Sequence, residues 1–329
     1  MRYYDIRLTN PTTGQIARSW TSHPNGKFDP QSLLVEFDIV TSRFAVPTGL
    51  STVTIYGVSL QDLFQANHFG LFQNALGLFQ PSHAFTMLGG MQAGLPLANP
   101  KQAGLLVSGV VLQSWGNWEG TDMTLDLQVT GSGGYTISNP ASIVLNWTKG
   151  TELSVALTNC LKQAFPQYPV KVSIKSGLVQ NHDEVGYFST LDQLGQWLEQ
   201  LTSQRFNSPV DLCNQGAALF AFDVSYNPVP VQLAYTDLVG QPTWIGPQEM
   251  QIKLVMRGDL TIGGLVKLPL GIQDNPGIVQ TAAAANASSL RYKSTFSGNF
   301  RIQQIRHIGN SRSPDGASWV TVINCVPYA

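Results

Sequence analysis

Three side chains near the C-terminus have the types used in acyl transfer: His307, Ser311 and Asp315, in FRIQQIRHIGNSRSPDGASWVTVINC. A hydroxyl nucleophile needs a histidine base beside it and a buried carboxylate that orients the base. Pro314-Asp315-Gly316 has turn composition, so all three fall on or beside a hairpin tip, and no GxSxG elbow is present. A second run, His182-Asp183-Glu184, offers metal-ligand types. Adjacent strand residues face opposite sides, so three in a row do not converge on one ion, and the run reads as a solvated loop. GSGG (131–134) lacks the Lys and Ser/Thr of a phosphate loop and reads as a linker. Trp115 and Trp118 flank a Gly-Asn pair and can stack on a sugar or a base, or simply pack a hairpin. The expectation is no catalytic constellation, no cofactor and no metal site.

Composition narrows the classes further. The chain has 329 residues, enough for two or three domains with a substantial core. Charged residues are 12% and hydrophobic ones 43%, which excludes a disordered chain. So little charge is what a surface covered by other subunits shows, since interface cores are depleted in charge. A net charge of −1 argues against a broad nucleic-acid surface. No segment reaches the roughly 20 apolar residues of a membrane helix, and MRYYDIRLTNPTTG has no apolar signal region. Cys160, Cys213 and Cys325 are far apart and form no CxxC pair, so buried reduced thiols are expected. On that reading the sequons at Asn146 and Asn286 carry no meaning.

The elements that must position these residues are mostly strands. LLVEFDIV (33–40) and STVTIYGV (51–58) alternate around a Pro-Thr-Gly turn. Ser59 and Asp62 mark the start of a short helix. The group Phe64, Phe69, Phe72 and Phe79 reads as core or subunit interface. Strands resume at 84–90 and 105–129, with Gly116-Asn117 and Glu119-Gly120 as turn residues. The middle changes character: Thr151 can cap a helix with Leu153, Leu157, Cys160, Leu161 and Phe165 on one face. PVKVSIK (169–175) is a strand, and Thr190 with Gln193 starts a helix striped by Leu191, Leu194, Leu198 and Leu201. From about Asn207 the pattern is β again, while TAAAANASSL (281–290) permits a helix or a loop. Alternation slips at Gln303-Gln304, where a bulge is expected. Two stretches echo each other, one from Ser108-Gly109 and one from Ser297-Gly298, each a strand, a Gly-Asn pair and a second strand.

EFDIV, then TVTIYGVS with its short helix, then LVSGVVLQSWGNWEGTDMTLDLQV resembles the first barrel of baseplate hub proteins from contractile-tailed bacteriophages. GDLTIGGLVKLP and the closing FSGNFRIQQIRHIGNSRSPDGASWVTVINC resemble that family's second barrel, and relatives include the hub part of type VI secretion spike proteins. The resemblance implies a mainly β fold with an α/β insert: a first tube-like β-barrel over 1–130, a helix–strand–helix domain over 131–206, and a second tube-like barrel with a C-terminal hairpin over 207–329. It implies a homotrimer that turns three-fold into pseudo-six-fold symmetry. Its partners would be the tail tube protein, the central spike protein and other baseplate proteins. Phage DNA would pass through without sequence-specific binding, and no membrane insertion is implied. The location would be the virion tail, after assembly in the bacterial host cytoplasm. Arg301, Gln303, Arg306 and Arg312, with the turn Gly309–Gly316, are the expected subunit or partner contact. The competing readings are a carbohydrate-binding receptor-recognition module of a tail tip, using Trp115 and Trp118, and a cell-wall hydrolase or protease, for which no paired carboxylates are recognisable.

Overall fold

Alternating segments at the start of the chain pair as their patterns require. The computed structural model describes residues 2–46, 50–75, 77, 79–92, 99–131, 141–216, 218–269, 296 and 298–328. The run 281–290, residues 132–134 of the Gly-Ser stretch, Asn286 and Ser297 lie outside the described residues. Strand β1 (Arg2–Thr9) turns into β2 (Ile16–Thr21) after Asn10, whose carboxamide oxygen accepts from the Thr12 and Thr13 N–H groups. β3 (Leu34–Ser42) and β4 (Ser51–Tyr56) form the expected antiparallel pair. Ser59 caps α1 (Leu60–Phe64), its hydroxyl accepting from the Asp62 N–H at 3.1 Å. The Phe-rich segment contributes a small ribbon, β5 (Leu71–Gln73) with β6 (Phe79–Pro81). β7 (Ala84–Met91) leads to the long hairpin of β8 (Gly104–Glu119) and β9 (Asp122–Thr130).

That hairpin corrects one expectation. Gly116-Asn117 is not a turn but lies inside β8, opposite Leu125 and Thr124, and the chain reverses at Gly120-Thr121. Glycine is needed at 116 for close approach: a Cβ there would stand 2.7 Å from Leu63 Cδ1 of α1.

The middle builds its own core. β10 (Ile143–Trp147) precedes α2 (Leu153–Ala164), and β11 (Val170–Ser173) precedes β12 (Glu184–Phe188), which pairs with β10. Thr151 does not cap α2; the helix begins after Glu152, and the Leu178 carbonyl accepts from the Leu153 N–H at 2.9 Å, doing the work of a side-chain cap. α3 (Leu191–Phe206) starts as its pattern predicts, with the Thr190 hydroxyl accepting from the Gln193 N–H. Leu191, Leu194, Leu198 and Leu201 are buried against Leu157, Leu161 and Trp147. The next strands, β13 (Asp211–Gln215) and β14 (Ala218–Phe222), join β11 in a three-stranded sheet. Their two faces serve two cores: Leu212, Leu219 and Ala221 pack on the helices, while Cys213, Phe220 and Phe222 face the third part of the chain. Burial on both sides explains the unbroken apolar run ALFAF.

The rest is short strands and one long hairpin: β15 (Val231–Gln232), β16 (Thr243–Trp244), β17 (Met250–Val255), β18 (Leu265–Lys267), β19 (Asn299–Asn310) and β20 (Trp319–Tyr328). The fold is mainly β with few helices, but two separate closed barrels are not what it shows. A single 13-stranded sheet follows the path β16-β17-β20-β19-β3-β4-β9-β8-β7-β1-β2, with β18 branching off β19 and β15 pairing with β18. The path is open, because its ends β16 and β2 do not pair. The reason lies in β19. Asn299 to Arg301 pair with β18, and Gln304 to Asn310 pair with β3, so one strand belongs to both halves. The register shift between Ile302 and Gln304 is the expected bulge, and it sits where β19 changes neighbours. β8 repeats the device: it pairs with β7 up to Val110 and with β9 from Val110 on, with a register shift between Val111 and Gln113. One core lies within β1–β9 and another within β13–β20, and Trp319 and Met256 from the far end of the chain complete the first.

Candidate interaction site

The closing hairpin carries the side chains of interest, and the fold distributes them among separate tasks. His307 is buried; its Nδ1 lies 3.0 Å from Thr321 Oγ1. That hydroxyl also accepts from the Arg257 N–H and lies 3.1 Å from the Arg257 carbonyl, so it ties the ring to the neighbouring strand end. Burial lowers the His307 pKa to about 3. Ser311 is tied to β3: its Oγ accepts from the Val35 N–H, and its own N–H donates to the Val35 carbonyl. Asp315 accepts from the Ala317 N–H, capping the turn before β20. The three are thus held by different partners and do not form a triad. His182 and Glu184 approach at 3.5 Å, but the Arg205 guanidinium already donates to Glu184 at 2.6 Å. No group of three or more metal-ligating side chains occurs among the described residues. Cys160, Cys213 and Cys325 are free and buried, and burial pushes the Cys160 thiol up to about 11.

Of the four expected contact residues, two face inward. Arg301 is buried, donating to the carbonyls of Asp223 at 3.1 Å and Tyr226 at 2.5 Å and stacking 4.4 Å above the Tyr328 ring. Gln303 occupies the bulge, with a buried Oε1 that has no hydrogen-bond partner. Arg306 and Arg312 are exposed. Arg306 grips Asp38 with two hydrogen bonds of 2.7 and 2.5 Å, and Arg312 donates to the Pro30 and Ser32 carbonyls. The hydrogen bonds to Asp38 raise the Arg306 pKa further. Sequence reasoning missed Arg2, which donates to the carbonyls of Asn310 and Asp315 and stacks 5.8 Å from the Trp319 ring. With a separation of 308 residues, no local pattern announces that clamp.

Other exposed apolar side chains cluster at the outer end of the β8–β9 hairpin. Phe64 is 75% exposed and Trp118 60%, and Leu60, Phe72, Phe79 and Trp115 are exposed as well. Trp115 and Trp118 are three apart on one strand and therefore project from opposite faces, so they cannot sandwich or jointly floor one sugar. Arg18 anchors this region to the sheet edge, donating to Asp62 at 2.5 Å and to Gln65 at 2.8 Å.

No family model matches this chain, and no curated protein does. Solved structures do. A tail protein from Neisseria meningitidis MC58 covers 99% of this chain and 96% of its own length at 12% identity, with a TM-score of 0.50. The 43 kDa tail protein of prophage MuSo2 from Shewanella oneidensis covers 99% and 98% at 11% identity and a TM-score of 0.51. The Escherichia coli c3393 protein, a type VI secretion component described as structurally similar to the T4 tail proteins gp27 and gp5, covers 90% and 74% at 8% identity and a TM-score of 0.52. The chain thus has the fold of these tail proteins and of a type VI secretion component, in keeping with the hub resemblance in its sequence.

Proposed function

We propose that the chain is the structural hub of a contractile phage-tail baseplate, a homotrimeric ring that adapts the hexameric tail tube to the central trimeric spike. The observation that carries this reading is the likeness in fold, over nearly the whole length, to a tail protein and a prophage tail protein, with a type VI secretion component matched over 74% of its own length. In this reading the β1–β9 and β13–β20 lobes act as two tube-like units per chain, six in the ring. The end strands β2 and β16 offer main-chain groups that neighbouring subunits or tail proteins can pair with. Its work is assembly rather than catalysis, which is supported by the engagement of His307, Ser311 and Asp315 in separate structural contacts. Its place is the virion tail, after assembly in the host cytoplasm, with DNA passing through the ring. The test is native mass, for the chain alone and mixed with the tail tube, spike and baseplate proteins of the same phage. A trimer in either condition is expected; a monomer in the presence of every partner overturns the reading.

A further inference from the structure

The outer end of the β8–β9 hairpin is apolar on one face and acidic on the other. Gly57, just after β4, donates its N–H to the Met123 carbonyl at 2.7 Å, and Met123 opposes Trp118, so the chain entering α1 lies against the tip. Leu60 and Phe64, one helical turn apart, are exposed there, as is Trp118, on the strand face that carries Gly116 beneath Leu63. On the other face Glu119 and Asp122 stand directly opposite each other, both exposed and neither in an ion pair with a described residue. Like charges so placed destabilise a hairpin unless a cation lies between them. They disfavour a polyanion or an anionic lipid surface and suit a cationic protein surface.

The same chain carries such a surface elsewhere. In 207–329 the large apolar side chains exposed among the described residues are Val224, Val229 and Tyr235, the second 89% exposed. Two lysines border them. The Lys175 N–H donates to the Asp223 carboxylate at 3.0 Å, which sets Lys175 beside Val224. The Leu233 N–H donates to the Lys267 carbonyl at 2.9 Å, which sets Lys267 beside the middle of the segment. Both lysines are exposed and neither is in an ion pair with a described residue.

Register keeps the two patches apart within one molecule. Lys267 opposes Asn299 at the start of β19, whereas Asn310 at its end opposes Glu36. From Glu36 the row runs through Thr54 and Asp126 to Trp115, with the hairpin tip beyond. The patches thus lie toward opposite ends of a twelve-residue strand, about 40 Å long at the usual rise per residue. Complementary patches at opposite ends of a chain make a head-to-tail contact between copies, the kind that closes into a ring.

We propose that the β8–β9 tip of one copy docks on the 224–235 segment of the next, its apolar face against Val224, Val229 and Tyr235 and its carboxylates toward Lys175 and Lys267. The inference rests on the homotrimer of the hub reading and names surfaces that build it.

The test is native mass across a dilution series, for the chain alone and with the tail proteins, using variants changed only at exposed positions. Glu119→Lys/Asp122→Lys and Lys175→Glu/Lys267→Glu are each expected to raise the concentration needed for half-assembly at least about tenfold, because like charges then meet across the contact. The chain with all four changes is expected to regain the natural value, since every copy supplies both sides. In the natural chain, a zero-length carbodiimide is expected to join Glu119 or Asp122 to Lys175 or Lys267 in the trimer and not in the monomer, which decides the matter if a variant does not fold. A trimer that lacks this cross-link, or that either two-site variant forms as readily as the natural chain, overturns the contact and leaves the hub reading standing. A four-change chain that assembles no better than the two-site variants also overturns the contact. A chain that is monomeric in every condition overturns both.

Discussion

His307 shows how position rather than residue type decides chemistry. The same imidazole that suggests a general base is buried against the Thr321 hydroxyl and kept neutral by that burial, while Asp315 is engaged with the Ala317 N–H. Its proton affinity then becomes a matter of stability. The folded pKa is lowered to about 3 and the unfolded one is about 6.5, so between those values the unfolded chain binds more protons. This contribution to stability is complete above about pH 6.5 and lost as pH falls toward 3, at up to about 1.4 kcal/mol per pH unit. Urea unfolding near pH 7 and about pH 4.5 is expected to show a smaller acid loss for His307→Gln than for the natural chain. Equal losses would remove His307 from the account. Arg301 carries the same lesson. It was legible as a cation on a strand, but its carbonyl partners at Asp223 and Tyr226 lie in a segment about 75 residues away, and only burial turns it into an internal clamp.

At the scale of elements, local signals worked wherever the decisive contacts are local. Ser59 and Thr190 cap helices as their spacing indicates, and the leucine stripe of α3 faces the core. Glycines misled, because a turn and a close approach use the same residue. Gly116 and Gly309 both precede Asn, yet each lies within a strand under a large side chain: Leu63 over the first, the Phe37 ring over the second. A Cβ at 309 would stand 2.2 Å from Phe37 Cζ, with the ring already packed edge-on to Trp319. Gly309→Ala is expected to cost about 1–3 kcal/mol in chemical unfolding. In a Phe37→Leu background the same change should cost distinctly less, since the obstructing ring is gone. A cost that stays the same would place the strain elsewhere.

At the scale of the whole molecule, the bulged long strands matter most. β8 and β19 each change partners near a register shift, and through β19 the two ends of the chain share one sheet. That sharing places Arg306 and Arg312 on an exposed face beside Asp38, Pro30 and Ser32. Exposed pairs of this kind contribute about 0.2–1 kcal/mol, so their removal should leave folding nearly unchanged. The double variant Arg306→Ala/Arg312→Ala is therefore expected to fold normally but to assemble poorly with tail partners, read as loss of the trimer peak and of infectious particles. Normal assembly would exclude this face as the contact.

Composition and period by themselves determined a mainly β chain with two helices in its middle, buried thiols and caps at Ser59 and Thr190, because each depends on a few neighbouring residues and their alternation. Tertiary structure alone decided that the strands join in one open sheet, that Arg2 clamps a turn 308 residues away, and that two exposed apolar patches stand toward opposite ends of β19. Those outcomes depend on which strand edges meet. Main-chain hydrogen bonding is the same for every residue except proline, so side-chain pattern does not specify a distant partner until whole faces pack.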